Sequence, residues 1–362
     1  MTSIAAVRKQ LAGLIGEPIP SAPDAEVTVA PSSAEGIARV LEIATEQHLP
    51  VLVWGGGTHQ GYGTTGAPAI VVSTRNLGGI DWRPDDLTVT VGAGIQVADL
   101  EGRLAQGGQT AVLPEDPGEA TIGGVVAAGV SGYRRLRYGP TRDRVIGATI
   151  VTGDGRIVHG RGKVVKNVAG YDLPRLATGS FGRLGVITEI SLKLWPVPPA
   201  SATISVDSPE HTRYYRPLAV LEADREGTVV LGGHPGAVEA DAGAHEPGAR
   251  WPRRLQTSSL FELRVPARLT REAVERVPTR WSYRAEFGVG RVTVGDDGPD
   301  MATLVELRRW AESVGGSLVV AAGCDGIDPW GTPPATLDIQ RRIVDALDPA
   351  GIMNPGRLPG GI

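Results

Sequence analysis

A short apolar strand that runs straight into three glycines sets the strongest constraint on this chain. Pro50-Val51-Leu52-Val53-Trp54 reads as a buried strand, and GGGTHQGYG follows it at once. Glycine tolerates positive φ and carries no side chain to hold a ligand off. Successive backbone N–H groups can therefore converge on one anion. The pattern fits a loop wrapped around a diphosphate, with a tight glycine turn as the alternative. No Gly-Lys-Ser/Thr follows, so it is not a Walker A loop.

Two further blocks are rich in small residues. Leu113-Pro114-Glu115-Asp116-Pro117-Gly118-Glu119-Ala120-Thr121-Ile122-Gly123-Gly124 runs on to Gly129-Val130-Ser131-Gly132. Backbone can approach a flat ligand closely there, and a helix beginning near Thr121 is expected to present free N–H groups to an anion. The alternative is a small-residue helix packed in a core. Lys166-Asn167-Val168-Ala169-Gly170-Tyr171-Asp172-Leu173 and Gly179-Ser180-Phe181-Gly182-Arg183-Leu184-Gly185-Val186-Ile187-Thr188 stand immediately before a strand, where ligand-gripping loops are common. Gly92-Ala93-Gly94 also lies between a strand and a helix. Val97 stands where a dinucleotide-fold turn needs its third glycine, so that reading is set aside.

The chain has 362 residues, which predicts about two domains. Residues 33–48 read as a helix capped by Ser32 or Ser33, with Ile37, Val40, Leu41, Ile43 and Ala44 on one face. Strands are expected at 69–73, 87–91, 145–151 and 186–195, and a helix at about 96–106. Pro196, Pro198 and Pro199 cannot continue a central strand, which puts a domain boundary near 195. Beyond it, β-like runs at 202–206, 228–231, 259–265, 280–286, 289–294 and 317–322 alternate with helical ones near 213–223, 270–277 and 301–313. This is an α+β pattern. A helix at 335–347 leads into Asp348-Pro349-Ala350-Gly351-Ile352-Met353-Asn354-Pro355-Gly356-Arg357.

Composition removes several function classes. A net charge of −4 without a basic stripe argues against nucleic acid. A single cysteine, Cys324, rules out an internal disulfide and an iron–sulfur cluster held by this chain alone. The first residues carry charges where a secretion signal needs an apolar stretch, and they read as an amphipathic helix. The most apolar run, 122–130, is too short to span a bilayer, which needs about 20 residues. No HExxH occurs and the histidines are scattered, so no metal site is expected; no GxSxG elbow occurs either.

The three glycine-rich blocks, in this order and spacing, resemble the PCMH-type, vanillyl-alcohol-oxidase-like FAD-binding family over about residues 25–195, and again at DPAGIMNPGR. The resemblance implies an α+β fold. A PCMH-type FAD-binding domain of two α/β subdomains would cover 1–195. A reduced α+β cap with an antiparallel sheet would cover 196–335, and 336–362 would return to the FAD domain. It implies FAD contacts from Trp54, Gly55, Gly56, Gly57, Thr58, His59 and Gln60. Pro114, Asp116, Ala120, Thr121, Gly123, Gly124, Gly129, Ser131, Gly132, Tyr138 and Gly139 would follow, then Gly185, Val186 and Ile187. Relatives with a covalent flavin carry Ser-Gly-Gly-His. Here Thr58 takes the histidine position and His59 is one further on, which implies noncovalent FAD.

Within that family, KNVAGYDLPRL, AAGVSG and the short cap resemble the FAD-binding E subunits of glycolate oxidase. That resemblance implies a small 2-hydroxy acid substrate. It also implies a complex with a related flavin subunit and an iron–sulfur subunit, cytoplasmic and touching the membrane only through partners. The His-x-Gly-Asp-Gly-x-x-His cap motif of related dehydrogenases is absent. A non-catalytic scaffold subunit and an independent FAD-linked oxidase remain the alternatives, and no catalytic residue is assigned. His211, His234 and His245 are candidate bases, each with a solvent-exposed alternative. Arg213, Arg216, Arg264, Arg284 and Arg291 are candidate carboxylate anchors, with surface solvation as the alternative for each. The Arg134-Arg135-Leu136-Arg137 run fits phosphate, a partner or plain solvation.

Overall fold

The computed structural model of the chain describes residues 4–19, 21–160, 171–243, 245 and 248–362. It is an α+β structure built on three main sheets. The first is a parallel sheet in the order Val27–Val29, Ile70–Ser73, Val51–Trp54. Helix Ala34–Glu46 follows its first strand in the chain. The Ser33 side chain accepts from the Gly36 N–H and caps the helix, which buries Ile37, Val40, Leu41, Ile43 and Ala44. The second is a five-stranded antiparallel sheet in the order Ile80–Arg83, Thr88–Gly92, Val186–Lys193, Val145–Val151, Ile157–Gly160. One continuous apolar core joins the two.

The third sheet has seven antiparallel strands. Its order is Ala200–Val206, Glu226–Gly233, Ala219–Ala223, Ser282–Glu286, Arg291–Asp296, Ser259–Arg264, Ser317–Ala322. It has a core of its own around Phe261, Leu263, Trp281, Val292 and Leu304. The helical reading of 213–223 is corrected here, since Ala219–Ala223 is a strand. Asp224 and Arg225 both have positive φ, at 48° and 75°, and form the two-residue loop of a hairpin to Glu226–Gly233. Such a turn matches strand twist. Its chemistry was hidden because neither residue is glycine. The expected 186–195 strand is also broken. Val186–Lys193 stays in the sheet, and Trp195–Pro196 pairs separately with Gln109–Thr110.

The C-terminal segment returns to the first sheet. The Val51 N–H donates to Ile352 O (2.8 Å) and the Asn354 N–H to Val51 O (2.9 Å), beside the strand that ends in the glycine loop. Asp348 turns the chain there. Its carboxylate accepts from the N–H groups of Ile352 (3.1 Å) and Met353 (3.0 Å), and it forms a buried ion pair with Arg183. Among the described residues no helix is long and apolar enough to cross a membrane. Removing one member of a buried pair leaves an uncompensated charge, a loss of about 3–5 kcal/mol. Asp348→Ala is therefore expected to lower the unfolding free energy by an amount in that range, measured by fluorescence-detected denaturant unfolding.

Candidate functional site

The glycine loop is held from below by side chains and left open above. Trp54 is buried, and a Cβ on Gly57 (φ +76°) would lie 2.8 Å from its ring. A Cβ on Gly56 would lie 1.8 Å from Glu119 O, and one on Gly55 2.4 Å from Thr121 Oγ1. Arg357 is buried and donates to the carbonyls of Gln60 (2.6 Å) and Tyr62 (2.5 Å). Asn354 accepts from the Val53 N–H (2.9 Å) and donates to Phe181 O (2.6 Å). The backbone N–H groups of Gly56, Gly57, Thr58 and His59 donate to no other described residue. Four unused donors on a loop that admits no side chain at Gly56 or Gly57 fit an anionic diphosphate.

The helix after Thr121 behaves differently from the sequence reading. Ile122–Ala128 starts there and the Thr121 hydroxyl caps it. Its leading N–H groups are already used. Ile122 donates to Ile95 O (2.9 Å), Gly123 to Ala93 O (2.9 Å) and Gly124 to Thr121 Oγ1 (3.2 Å). The expected free donors are absent because the turn after Thr88–Gly92 supplies carbonyls to them. What the block offers a ligand is access, since Gly123 and Gly124 line the same narrow channel as the loop.

Three cavities meet at the loop. Gly55, Gly56, Gly57, Thr58, His59, Gln60, Gly123, Gly124, Gly185 and Ile187 line the narrow channel. A second cavity of about 320 Å³ lies between the loop and the cap, lined by Pro114, Asp116, Ala120, Ser131 and Gly132. The third, about 960 Å³, is lined by Gly129 and Ser131 and by cap residues. Tyr62, Val130, Ser131, Glu262 and Arg291 line both of the last two.

Five residues of the predicted set lie outside these walls. Trp54 packs under the loop, and Val186 is fully buried in the core. Tyr138 meets Trp195 edge-on (5.5 Å), and Gly139 O accepts from Arg144 (2.6 Å). Thr121 contributes through its cap. The Lys166 to Gly170 part of the third block lies outside the described residues. His211, His234 and His245 are exposed and line none of the three cavities, and the His234 side chain caps helix Pro235–Ala242. Arg213 pairs with Glu210 at the surface (2.9 Å). Arg216 is exposed, and Arg284 lies over the Tyr133 ring (5.2 Å).

The cap sheet turns charge toward the cleft. Phe261 and Leu263 point into the cap core, so Glu262 and Arg264 take the opposite face of the strand. Arg264 is directly opposite Arg291, and Arg291 directly opposite Glu286. Like charges face to face are unfavourable. Two carboxylates relieve this pair. Glu262 accepts from Arg264 Nη2 (2.7 Å) and from the Tyr62 hydroxyl (2.7 Å), and Glu286 accepts from Arg291 Nε (2.5 Å). Burial alone would raise the Glu262 carboxyl. The charges of Arg264 and Arg291, with hydrogen bonds from Arg264 and Tyr62, bring it down to about 2. Burial raises Glu286 despite Arg291. Sequence reasoning missed Tyr62, Glu262, Glu286, Asn354 and Arg357.

His59 is the loop's own titratable group. Its Nδ1 lies 2.9 Å from the Thr58 hydroxyl. Burial and the charge of Arg254 bring it down to about 4, against the opposing pull of Glu262. It is neutral at pH 7.

Comparison with known proteins places the chain among FAD-binding proteins. Residues 25–161 match a family described as "FAD binding domain". The chain is 31% identical over 301 residues to glycolate oxidase subunit GlcE of Escherichia coli (strain K12), covering 77% of this chain and 84% of that protein. It is 36% identical over 180 residues to a D-lactate dehydrogenase of Archaeoglobus fulgidus, and 37% identical over 189 residues to glycolate oxidase subunit GlcD of Bacillus subtilis (strain 168). These matches cover 49% and 51% of this chain but only 40% and 39% of those longer proteins. Alkyldihydroxyacetonephosphate synthase shares the fold at a TM-score of 0.66 and 16% identity, over 92% of this chain and 77% of that one.

The neutral histidine has a measurable consequence. An unfolded imidazole takes a proton near 6.5 and the native one only near 4. Between those values the unfolded chain holds the extra proton, so stability falls as pH drops through that window. His59→Gln is expected to flatten this slope, read from denaturant midpoints at pH 7 and pH 5. Equal slopes in the two proteins would reject a buried, neutral His59.

Proposed function

The chain belongs to the PCMH-type FAD-binding family, close to the E subunit of glycolate oxidase, and from that premise we propose that it is the FAD subunit of a complex oxidising small 2-hydroxy acids. The observation that carries this reading is the row of unused N–H groups at Gly56 to His59, on a loop with no room for a side chain at Gly56. These donors hold the diphosphate. Gly123, Gly124, Gly129, Ser131 and Ile187 line the path beyond it. FAD is held without a covalent bond, since Thr58 stands where the covalent-flavin loop needs its histidine. The FAD domain covers 1–195, the cap 196–335, and 336–362 completes the loop's floor.

When bound, FAD supplies the two-electron acceptor. The chain's own residues shape the cleft around the acid. Tyr62 is locked as a donor to Glu262, whose carboxyl stays ionised at neutral pH. Burial and the Glu262 charge raise the Tyr62 hydroxyl well above its ordinary value, which disfavours tyrosinate. The pair is thus a positioning element. Onward one-electron transfer through an iron–sulfur cluster calls for a partner, because Cys324 alone cannot ligate one. A related flavin subunit and an iron–sulfur subunit supply the rest of the path. The complex sits in the cytoplasm, at the inner face of the membrane through those partners.

Two measurements test this reading. Acid precipitation of the yellow protein is expected to leave FAD in the supernatant. Anaerobic addition of glycolate or D-lactate is expected to bleach the flavin band. Bleaching only in the assembled complex would move the oxidation to the partner flavin subunit. Gly56→Ala forces a Cβ to 1.8 Å from Glu119 O. It is expected to lose more than about 100-fold in FAD affinity by fluorescence titration while keeping its far-UV spectrum, a distortion of roughly 3 kcal/mol.

A further inference from the structure

We propose that Arg135 is the residue that grips the carboxylate of the acid, in the cleft of about 960 Å³ between the FAD domain and the cap. This deepens the functional reading above and rests on it. Four arginines line that cleft: Arg135, Arg142, Arg264 and Arg291. Three are engaged. Arg264 is held by Glu262 (2.7 Å), and Arg291 by Glu286 (2.5 Å) and by Ser131 O (2.9 Å). Arg142 lies 3.6 Å from Asp143 with 59% of its side chain exposed. The guanidinium of Arg135 makes no hydrogen bond and no ion pair among the described residues. Its neighbours in the run do otherwise. Arg134 binds Glu115 (2.8 Å), and Arg137 donates to Arg216 O.

An unpaired guanidinium in a half-buried cleft wall is an unusual arrangement, because burial disfavours an uncompensated cation. Arg135 is disfavoured by burial first and then by the charge of Arg291, with Glu286 and Glu262 opposing in part. The cluster of Arg135, Arg264, Arg291, Glu262 and Glu286 carries three positive and two negative charges. It has one positive charge in surplus, and that charge belongs to the arginine without a partner. A monocarboxylate brings the cluster to neutrality. A dicarboxylate would leave one negative charge over.

The two cap arginines are poorer anchors for a physical reason. A carboxylate gripping the Nε–Nη2 edge of Arg264 or Arg291 must displace Glu262 or Glu286, both buried, and strand a charge. One arriving at Arg135 displaces only water and can form the two parallel N–H···O bonds that suit a guanidinium. Arg135 and the Tyr62–Glu262 pair line the same cleft, so an acid held there keeps its hydroxyl within that chamber.

The test uses the FAD-loaded protein and 2-hydroxy-2-methylpropanoate. This monocarboxylate keeps the hydroxyl but has no hydrogen on the α-carbon, so it binds without reducing the flavin. Titration is followed by the flavin difference spectrum and by calorimetry. Arg135→Ala is expected to weaken binding by about 30-fold, the scale of a charge-assisted pair. Arg135→Lys falls between the two, and added guanidinium restores part of the loss in Arg135→Ala. FAD affinity stays unchanged, and Arg142→Gln stays within about threefold of the wild type. Wild-type affinity in Arg135→Ala overturns the proposal. So does a loss that only follows loss of FAD, or a wild-type protein that fails to bind the probe. A shifted flavin potential with unchanged probe affinity also overturns it, and moves the charge's role to the cofactor. If the probe binds through Arg135 but no 2-hydroxy acid bleaches the flavin, the carboxylate site stands and the assigned oxidation fails.

Discussion

Asn354 is the point on which the site depends. One side chain accepts from the Val53 N–H and donates to Phe181 O, while its own N–H donates to Val51 O. It thereby ties the strand that enters the glycine loop to the 179–185 block and to the C-terminal segment. Its φ of +38° is sparsely populated for a residue with a side chain, though asparagine tolerates it better than most. Three residues further on, Arg357 takes the carbonyls of Gln60 and Tyr62. Carbonyls on the loop's underside are satisfied from below, so the Gly56 to His59 N–H groups can turn outward. The tail thus acts as part of the cofactor loop, although some 300 residues separate them in sequence.

The same division of labour appears across the cleft. The FAD domain offers backbone and few charges, whereas the cap offers charges that are already matched. Arg264 and Arg291 face each other across two paired strands, an arrangement that needs Glu262 and Glu286 to be tolerable. Those carboxylates are therefore structural before they are anything else. A low Glu262 pKa makes it a weak proton acceptor, and the pair with Tyr62 is a rigid wall. This arrangement gives a cap whose own histidines lie outside the cavities a defined polar surface facing the cleft.

Much of this was legible in the sequence where the signal was local. The strand-to-glycine junction at Val53 to Gly57, the Ser33 cap and the helix start near Thr121 each need only a few neighbouring residues, and each formed as expected. The free donors expected after Thr121 were wrong for a nonlocal reason, since Ala93 and Ile95 carbonyls reach them from another turn. The hairpin at Asp224-Arg225 was missed because glycine, the usual marker of positive φ, is absent. A faint signal for Glu262 did exist. In Phe261-Glu262-Leu263-Arg264 charges alternate with core residues at the period of a strand, which marks a charged face. Which charges pair across that face depends on strand register, and register is invisible to composition.

Register also decides between arginines that look equivalent in sequence. Arg291 gains Glu286 because their strands pair in that register, whereas Arg264 takes Glu262 from two residues earlier on its own strand and meets Arg291 across the ladder. Arg134 gains Glu115 because the PEDPG block folds over Ser131 to Arg134, with the Tyr133 N–H on the same carboxylate (2.8 Å). Arg135 opens a four-residue helix one step later, which turns it off that surface and onto the cleft wall. Its isolation follows from helical geometry, because adjacent helix positions project about 100° apart. The fold thus spends one arginine of the pair on holding its own loop and leaves the next one free for an acid.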